Sequence, residues 1–87
     1  MRLIFSDNAW EDYLYFQTLA DLNKKTLKRI NLLIKEIQRD PFEGIGKPEG
    51  LKHALSGYWS RRINQEHRIV YKVENDGLLI AQLRHHY

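Results

Sequence analysis

Arg68-Ile69-Val70-Tyr71-Lys72-Val73-Glu74, Asn75-Asp76-Gly77, then Leu78-Leu79-Ile80-Ala81-Gln82-Leu83-Arg84-His85-His86 is the stretch that decides the fold. Two runs rich in Val, Ile, Leu and Tyr flank a cluster of turn formers, which predicts an antiparallel hairpin over 68–74 and 78–86. Asn75-Asp76-Gly77 suits a three-residue loop with the glycine in the left-handed position. That loop pairs Glu74 with Leu78 and Arg68 with Arg84. Just upstream, 58–64 reads as a third strand. Side chains alternate faces along a strand, so parity sorts the residues. Odd positions Trp59, Ile63, Ile69, Tyr71, Val73, Leu79, Ala81 and Leu83 are mostly apolar and are expected to face helices. Even positions Ser60, Arg62, Arg68, Lys72, Gln82, Arg84 and His86 are expected to share the open face, with His86 diagonal to Arg68. Arg62 joins that face if the connection from Asn64 to Arg68 has odd length or carries a bulge.

Working back towards the start, 2–5 reads as a short strand, and Ser6 or Asp7 can cap the helix after it. That helix shows an apolar stripe of Trp10, Tyr13 and Leu14, with Phe16 taking over as the stripe drifts, and it is expected to end near residue 19. Asp21 or Asn23 opens a second helix, where Leu27, Ile30, Leu33, Ile34 and Ile37 recur at helical spacing. Pro41 stops it, because proline disfavours helix at the residue before it and cannot donate. Residues 41–57 hold both prolines and four of the five glycines and read as a loop. The spacing of Gly44, Gly46 and Gly50 matches neither a P-loop nor a dinucleotide fingerprint. The expected fold class is α+β: two N-terminal helices packed on a small, twisted, mainly antiparallel sheet, one domain over 1–87.

Composition narrows the function. Hydrophobic residues are 43% and charged residues 29% of the chain, as in a folded globular domain. A chain of 87 residues is expected to bury roughly 60–65% of its unfolded surface, a thin but sufficient core. There is no cysteine, so neither a disulfide nor a thiolate metal site is available. The apolar start after Arg2 is too short for a signal peptide, and no run approaches a membrane span, so a cytoplasmic protein without membrane association is expected. Residues 1–46 carry seven Lys/Arg and seven Asp/Glu, whereas 47–87 carry seven against four, so the whole excess of +3 sits in the second half with all four histidines. A basic surface gathered on one part of a domain is the footprint of an anionic partner.

The predicted open face has the parts for RNA cleavage. The reaction needs a base for the 2′-hydroxyl proton, cations where charge builds on the phosphate oxygens, and an acid for the departing 5′-oxygen. A carboxylate such as Glu49, cations such as Lys52, Arg62 and Arg68, and a histidine such as His86 can fill those roles. Arginine's fixed fork of donors suits phosphate oxygens. Tyr87 can stack on a base. His53 and His67 read as surface or turn residues. Neither a metal nor a cofactor is called for: the adjacent pair His85-His86 would point to opposite faces of a strand.

Read together, these residues carry a resemblance. The run Pro41-Phe42-Glu43-Gly44-x-Gly46-Lys47-Pro48-Glu49-x-Leu51-Lys52-His53-x-Leu55-Ser56-Gly57-x-Trp59-Ser60-Arg61-Arg62-Ile63, then Glu66-His67-Arg68-x-Val70-Tyr71, then Leu79-Ile80-Ala81 and His86-Tyr87, closely resembles the YoeB toxins of the RelE-like superfamily. Leu3-Ile4, Ser6, Trp10 and Asp12-Tyr13-Leu14-Tyr15 extend it over nearly the whole chain, while the joint at 18–24 is slightly longer than expected for the family. The resemblance implies a RelE-like fold and a ribosome-dependent endoribonuclease that cuts mRNA in the ribosomal A site and blocks translation without a cofactor. It implies a cognate antitoxin protein as partner, with a homodimer also possible. It implies Glu49 as general base, Arg68 as transition-state stabiliser and His86 as general acid, with Lys52 and Arg62 supporting the phosphate and Tyr87 holding substrate. Two other readings stand beside it. One is a toxin of the same fold with a non-RNA target such as gyrase, and the other is a non-catalytic ribosome- or RNA-binding module.

Overall fold

The computed structural model of the protein describes residues 1–18 and 20–85. Strand β1 (Arg2–Phe5) leads into helices α1 (Asp7–Thr18) and α2 (Ala20–Arg39). Strands β2 (Glu49–Gly50), β3 (Trp59–Arg62), β4 (Arg68–Glu74) and β5 (Gly77–Gln82) follow, with a short 3-10 turn at His53–Leu55. The sheet runs β1-β5-β4-β3-β2. β1 lies parallel to β5, and every other pairing is antiparallel. Two helices packed on a mixed five-stranded sheet agree with the expected class. No helix among the described residues is long and apolar enough to cross a membrane.

The second helix follows its sequence closely. Ile30, Leu33 and Ile37 are fully buried and Ile34 nearly so, with Leu27 packed against them. Burying each such side chain contributes about 1.5–3 kcal/mol, so this stripe anchors the helix layer. The helix stops at Arg39, before Pro41. It begins at Ala20, earlier than Asp21 or Asn23 would place it. The first helix departs further. Ser6 Oγ accepts the Ala9 N–H at 3.0 Å and is the cap, but the inward face is Ala9, Asp12 and Phe16. Trp10 is 48% exposed and stacks on Tyr13 at 6.0 Å, outside the core. Phe16 is in the core and Tyr13 packs against it, so the expected stripe holds there; Trp10 is turned out, and Asp12 faces inward with no hydrophobic signal to announce it.

The hairpin corrects the predicted register. Glu74 pairs with Gly77, not Leu78, so the loop is Asn75-Asp76, with Asn75 in the left-handed position at φ 52°. Shortening the loop by one residue reverses the parity of β5. Leu78 and Ile80 are buried in the core, whereas Leu79 and Ala81 are not among its buried residues. The reversal is then undone. Tyr71 pairs with Ile80 but Val70 pairs with Gln82, so Ala81 is an extra residue, a bulge. Past it Leu83 is again in the core, as expected. Predicted strand 78–86 therefore ends at Gln82. On β3, at Ile63 just past it, and on β4 the parity holds: Ile63, Ile69 and Tyr71 are buried on the helix side, and Trp59 and Val73 pack against them.

The stretch 41–57 is more than a loop. Glu49 and Gly50 form an edge strand against Ser60 and Trp59. Behind it, Arg61 is wholly buried. Its Nε donates to Tyr71 Oη at 3.1 Å, its Nη1 to Ile45 O at 3.2 Å, and its Nη2 to Glu43 O at 3.0 Å and also to Asp40 O. Tyr71 Oη in turn donates to Pro41 O at 2.6 Å. One guanidinium thus ties 40–45 to the sheet and sets where β2 can begin.

Candidate active site

Register assembles the open face. Glu49 lies opposite Ser60, Ser60 opposite Val70, and Val70 opposite Gln82, so these four form one row across the sheet. Arg62 pairs with Arg68 in the next row. The connection between them, residues 63–67, has the odd length that Arg62 needed to join this face. Directly opposed like charges repel, and Arg68 turns its head away, diagonally back across the sheet. Its Nη2 donates to Glu49 Oε1 at 3.0 Å and to Ser60 Oγ at 2.9 Å, and its Nε donates to Ser60 Oγ at 3.1 Å. Ser60 is fully buried, so the guanidinium is braced from below while Glu49, with 54% of its side chain exposed, stays open to solvent.

The other predicted residues fall around this pair. Lys52 is exposed and shares a shallow depression of ≈ 370 Å³ with Glu49 and His53. Arg62 and Arg68 line a second cavity of ≈ 430 Å³ together with Arg29 from α2, a cation that no sequence pattern singles out. Arg68 therefore lines the second depression and hydrogen-bonds Glu49 of the first. Its backbone N–H donates to His85 O at 3.2 Å, which brings the chain just ahead of His86 to the same place. His86 and Tyr87 themselves lie outside the described residues. Lys47, His53 and His85 hold left-handed backbone at φ 53°, 58° and 65°. Each sits within two residues of Glu49, Lys52 or His86, and strain of this kind gathers at working sites.

Two expectations fail here. Arg84 leaves the open face, and its guanidinium carbon sits 3.6 Å from the centre of the Tyr15 ring on α1. The strand has ended by then, so parity no longer governs it. His67 lies in the turn before β4, as expected, but it is buried at 7% exposure and is not a surface residue. Its ring packs edge-on to Phe16 at 5.2 Å. Glu66, His67 and His85 bring ligand atoms within 4.8 Å of one another. However, His67 Nδ1 accepts the His85 N–H at 2.8 Å. In a neutral ring the proton then sits on Nε2, the nitrogen nearest Glu66. That nitrogen offers the cluster a proton in place of a lone pair, so the group is not a formed metal centre.

Comparison with known proteins shows the family. The chain matches the YoeB-like toxin family of bacterial type II toxin-antitoxin systems over residues 5–87. It belongs to that family. It is 59% identical over 87 residues to Toxin YoeB of Escherichia coli strain K12, covering all of both chains. A YoeB/ParE toxin from Agrobacterium tumefaciens superposes with a TM-score of 0.94 at 43% identity, again over the whole of both chains. YoeB of Staphylococcus aureus, solved as a dimer and in a YoeB-YefM complex, gives TM-scores of 0.89 and 0.88 at 51% and 52% identity, covering 100% of this chain and 98% of that one. Family membership makes the protein a toxin of a toxin–antitoxin system, and the basic, carboxylate-bearing face is where its chemistry is to be sought.

Proposed function

We propose that this toxin is a metal-independent endoribonuclease that cuts mRNA in the A site of the ribosome and so blocks translation. One observation carries the reading: the Arg68 guanidinium is held 3.0 Å from Glu49, while the Arg68 backbone binds the carbonyl of the residue before His86. A candidate base, a cation and the root of a candidate acid thus meet at one residue. Glu49 takes the proton of a 2′-hydroxyl, and that oxygen attacks the adjacent phosphorus. Arg68 stabilises the charge on the phosphorane oxygens, with Lys52 and Arg62 as supporting cations. The bond from phosphorus to the 5′-oxygen breaks, and His86 supplies the proton to the leaving oxygen. The products are a 2′,3′-cyclic phosphate and a free 5′-hydroxyl. Tyr87 holds the substrate by stacking.

The pairing of an exposed carboxylate with a braced arginine supports a nuclease over a gyrase poison or a passive RNA binder, since neither of those needs a base or an acid. A cognate antitoxin is the expected partner by similarity to the Staphylococcus aureus complex, and the dimer of the same relative supports self-association as a second possibility. Primer extension on a defined mRNA in a reconstituted translation system tests the reading. Cuts at the A-site codon should require ribosomes and should vanish in Glu49→Ala and His86→Ala proteins that fold normally. Undiminished cutting by both variants would overturn it.

A further inference from the structure

β5 ends at Gln82, and the next three backbone N–H groups have no ladder to enter. Leu83 N–H and Arg84 N–H both donate to Asp12 Oδ2, at 3.0 and 3.3 Å. His85 N–H donates to His67 Nδ1 at 2.8 Å. Asp12 lies on α1 and His67 just before β4, and both are buried, at 8% and 7% exposure. A buried carboxylate or imidazole without partners is costly, so their burial is explained by the amides they accept. The clamp has a second jaw. Arg68 N–H donates to His85 O, so His85 is gripped at both ends while its backbone sits at φ 65°. The rings of His67 and His85 also meet edge to face, 5.5 Å apart. A left-handed histidine persists only where its surroundings over-determine it.

We infer that Asp12 and His67 are positioning residues, which hold the backbone of 83–85 so that the next residue, His86, is presented to the site. The role assigned to His86 rests on the nuclease reading, whereas the clamp itself does not. Asp12 acts through an acceptor oxygen and His67 through an acceptor nitrogen, and asparagine places its Oδ1 close to where either acceptor stands. Asp12→Asn and His67→Asn should therefore preserve what Asp12→Leu and His67→Leu destroy.

The test uses the full chain and two readouts. In amide hydrogen exchange, the leucine variants should speed exchange at Leu83 and Arg84 (from Asp12) or His85 (from His67) by ~10-fold, the scale of one lost hydrogen bond. Ile69 and Tyr71 in the core should be unchanged. In single-turnover cleavage at saturating ribosomes, the same variants should lose about 10- to 100-fold in rate, the usual consequence of a misplaced catalytic group, with the half-saturating ribosome concentration unmoved. The asparagine variants should restore both readouts. Unaltered exchange in the leucine variants would overturn the clamp. Lost protection with an undiminished cleavage rate, or asparagine behaving like leucine, would overturn the positioning role. If His86→Ala cuts as fast as the parent protein, the acid assignment falls and the positioning role with it, while the exchange data still decide the clamp.

Discussion

Arg61 is the residue whose neighbourhood says most about how this small domain holds together. Its charge is fully buried, yet its partners are a phenol and backbone carbonyls, so it works as a hub of donors to 40–45. Arg61→Leu leaves Tyr71 and three carbonyls short of a donor. It should lower stability by about 3 kcal/mol or more, read from the midpoint of urea unfolding. Lysine should not rescue it, because an ammonium lacks the planar fork that reaches several carbonyls at once. Tyr71 adds a pH dependence. Burial pushes its hydroxyl above its ordinary value of 10.0, against the opposing pull of Arg61. The native state therefore holds that proton more tightly than the unfolded chain does. The stability gained is fully present below pH about 10 and is lost as pH rises through the native value. Unfolding midpoints taken from pH 9 to 11 should fall more steeply for the parent protein than for Tyr71→Phe. None of this was legible from Arg61-Arg62, two like residues of which the first goes wholly inside and the second stays on the surface.

Among the elements, α2 was legible and β5 was not. Five apolar residues at helical spacing leave only one face to bury, so Ile30, Leu33 and Ile37 had one way to point. β5 carries apolar residues at both parities, and its register then hung on the length of one turn and on the bulge at Ala81. β2 is only two residues long, too short for any period to appear, and what holds it is the loop behind it. Gly46 is the tightest point of that loop. At φ +85° an added Cβ would stand 3.0 Å from Arg61 Cβ, 3.1 Å from Leu33 Cδ2 and 3.2 Å from Arg62 O. Gly46→Ala should cost roughly 2–4 kcal/mol through backbone strain and steric conflict, again read by urea unfolding. Because the loop places β2, the same variant should also loosen Glu49 from Arg68, which a larger loss of cleavage than of stability at working temperature would reveal.

For the molecule as a whole, charge and site geometry point the same way. The net charge is +3, and part of the basic excess of the second half is not on the open face. Arg61 is internal and Arg84 lies over Tyr15. Affinity for free RNA follows the number of phosphates neutralised, so the intrinsic grip should be weak and the ribosome should supply the positioning. Cleavage of naked RNA at low enzyme concentration should be slow and strongly suppressed by salt. Efficient, salt-tolerant cutting without ribosomes would contradict this. By itself the sequence determined the helix-and-sheet class, the burial of α2, the presence though not the register of the hairpin, and the choice of Glu49, Lys52, Arg62, Arg68, His86 and Tyr87 as candidates. Those depend on local period, turn chemistry and a residue pattern spread along the whole chain. Only the tertiary structure decided that Ser60 braces Arg68, that Arg61 goes inside, and that Asp12 and His67 seize the amides of 83–85. Each of those contacts joins residues remote in sequence, and the physical reason is common to all three: a buried polar group takes whichever partner the packing brings within reach.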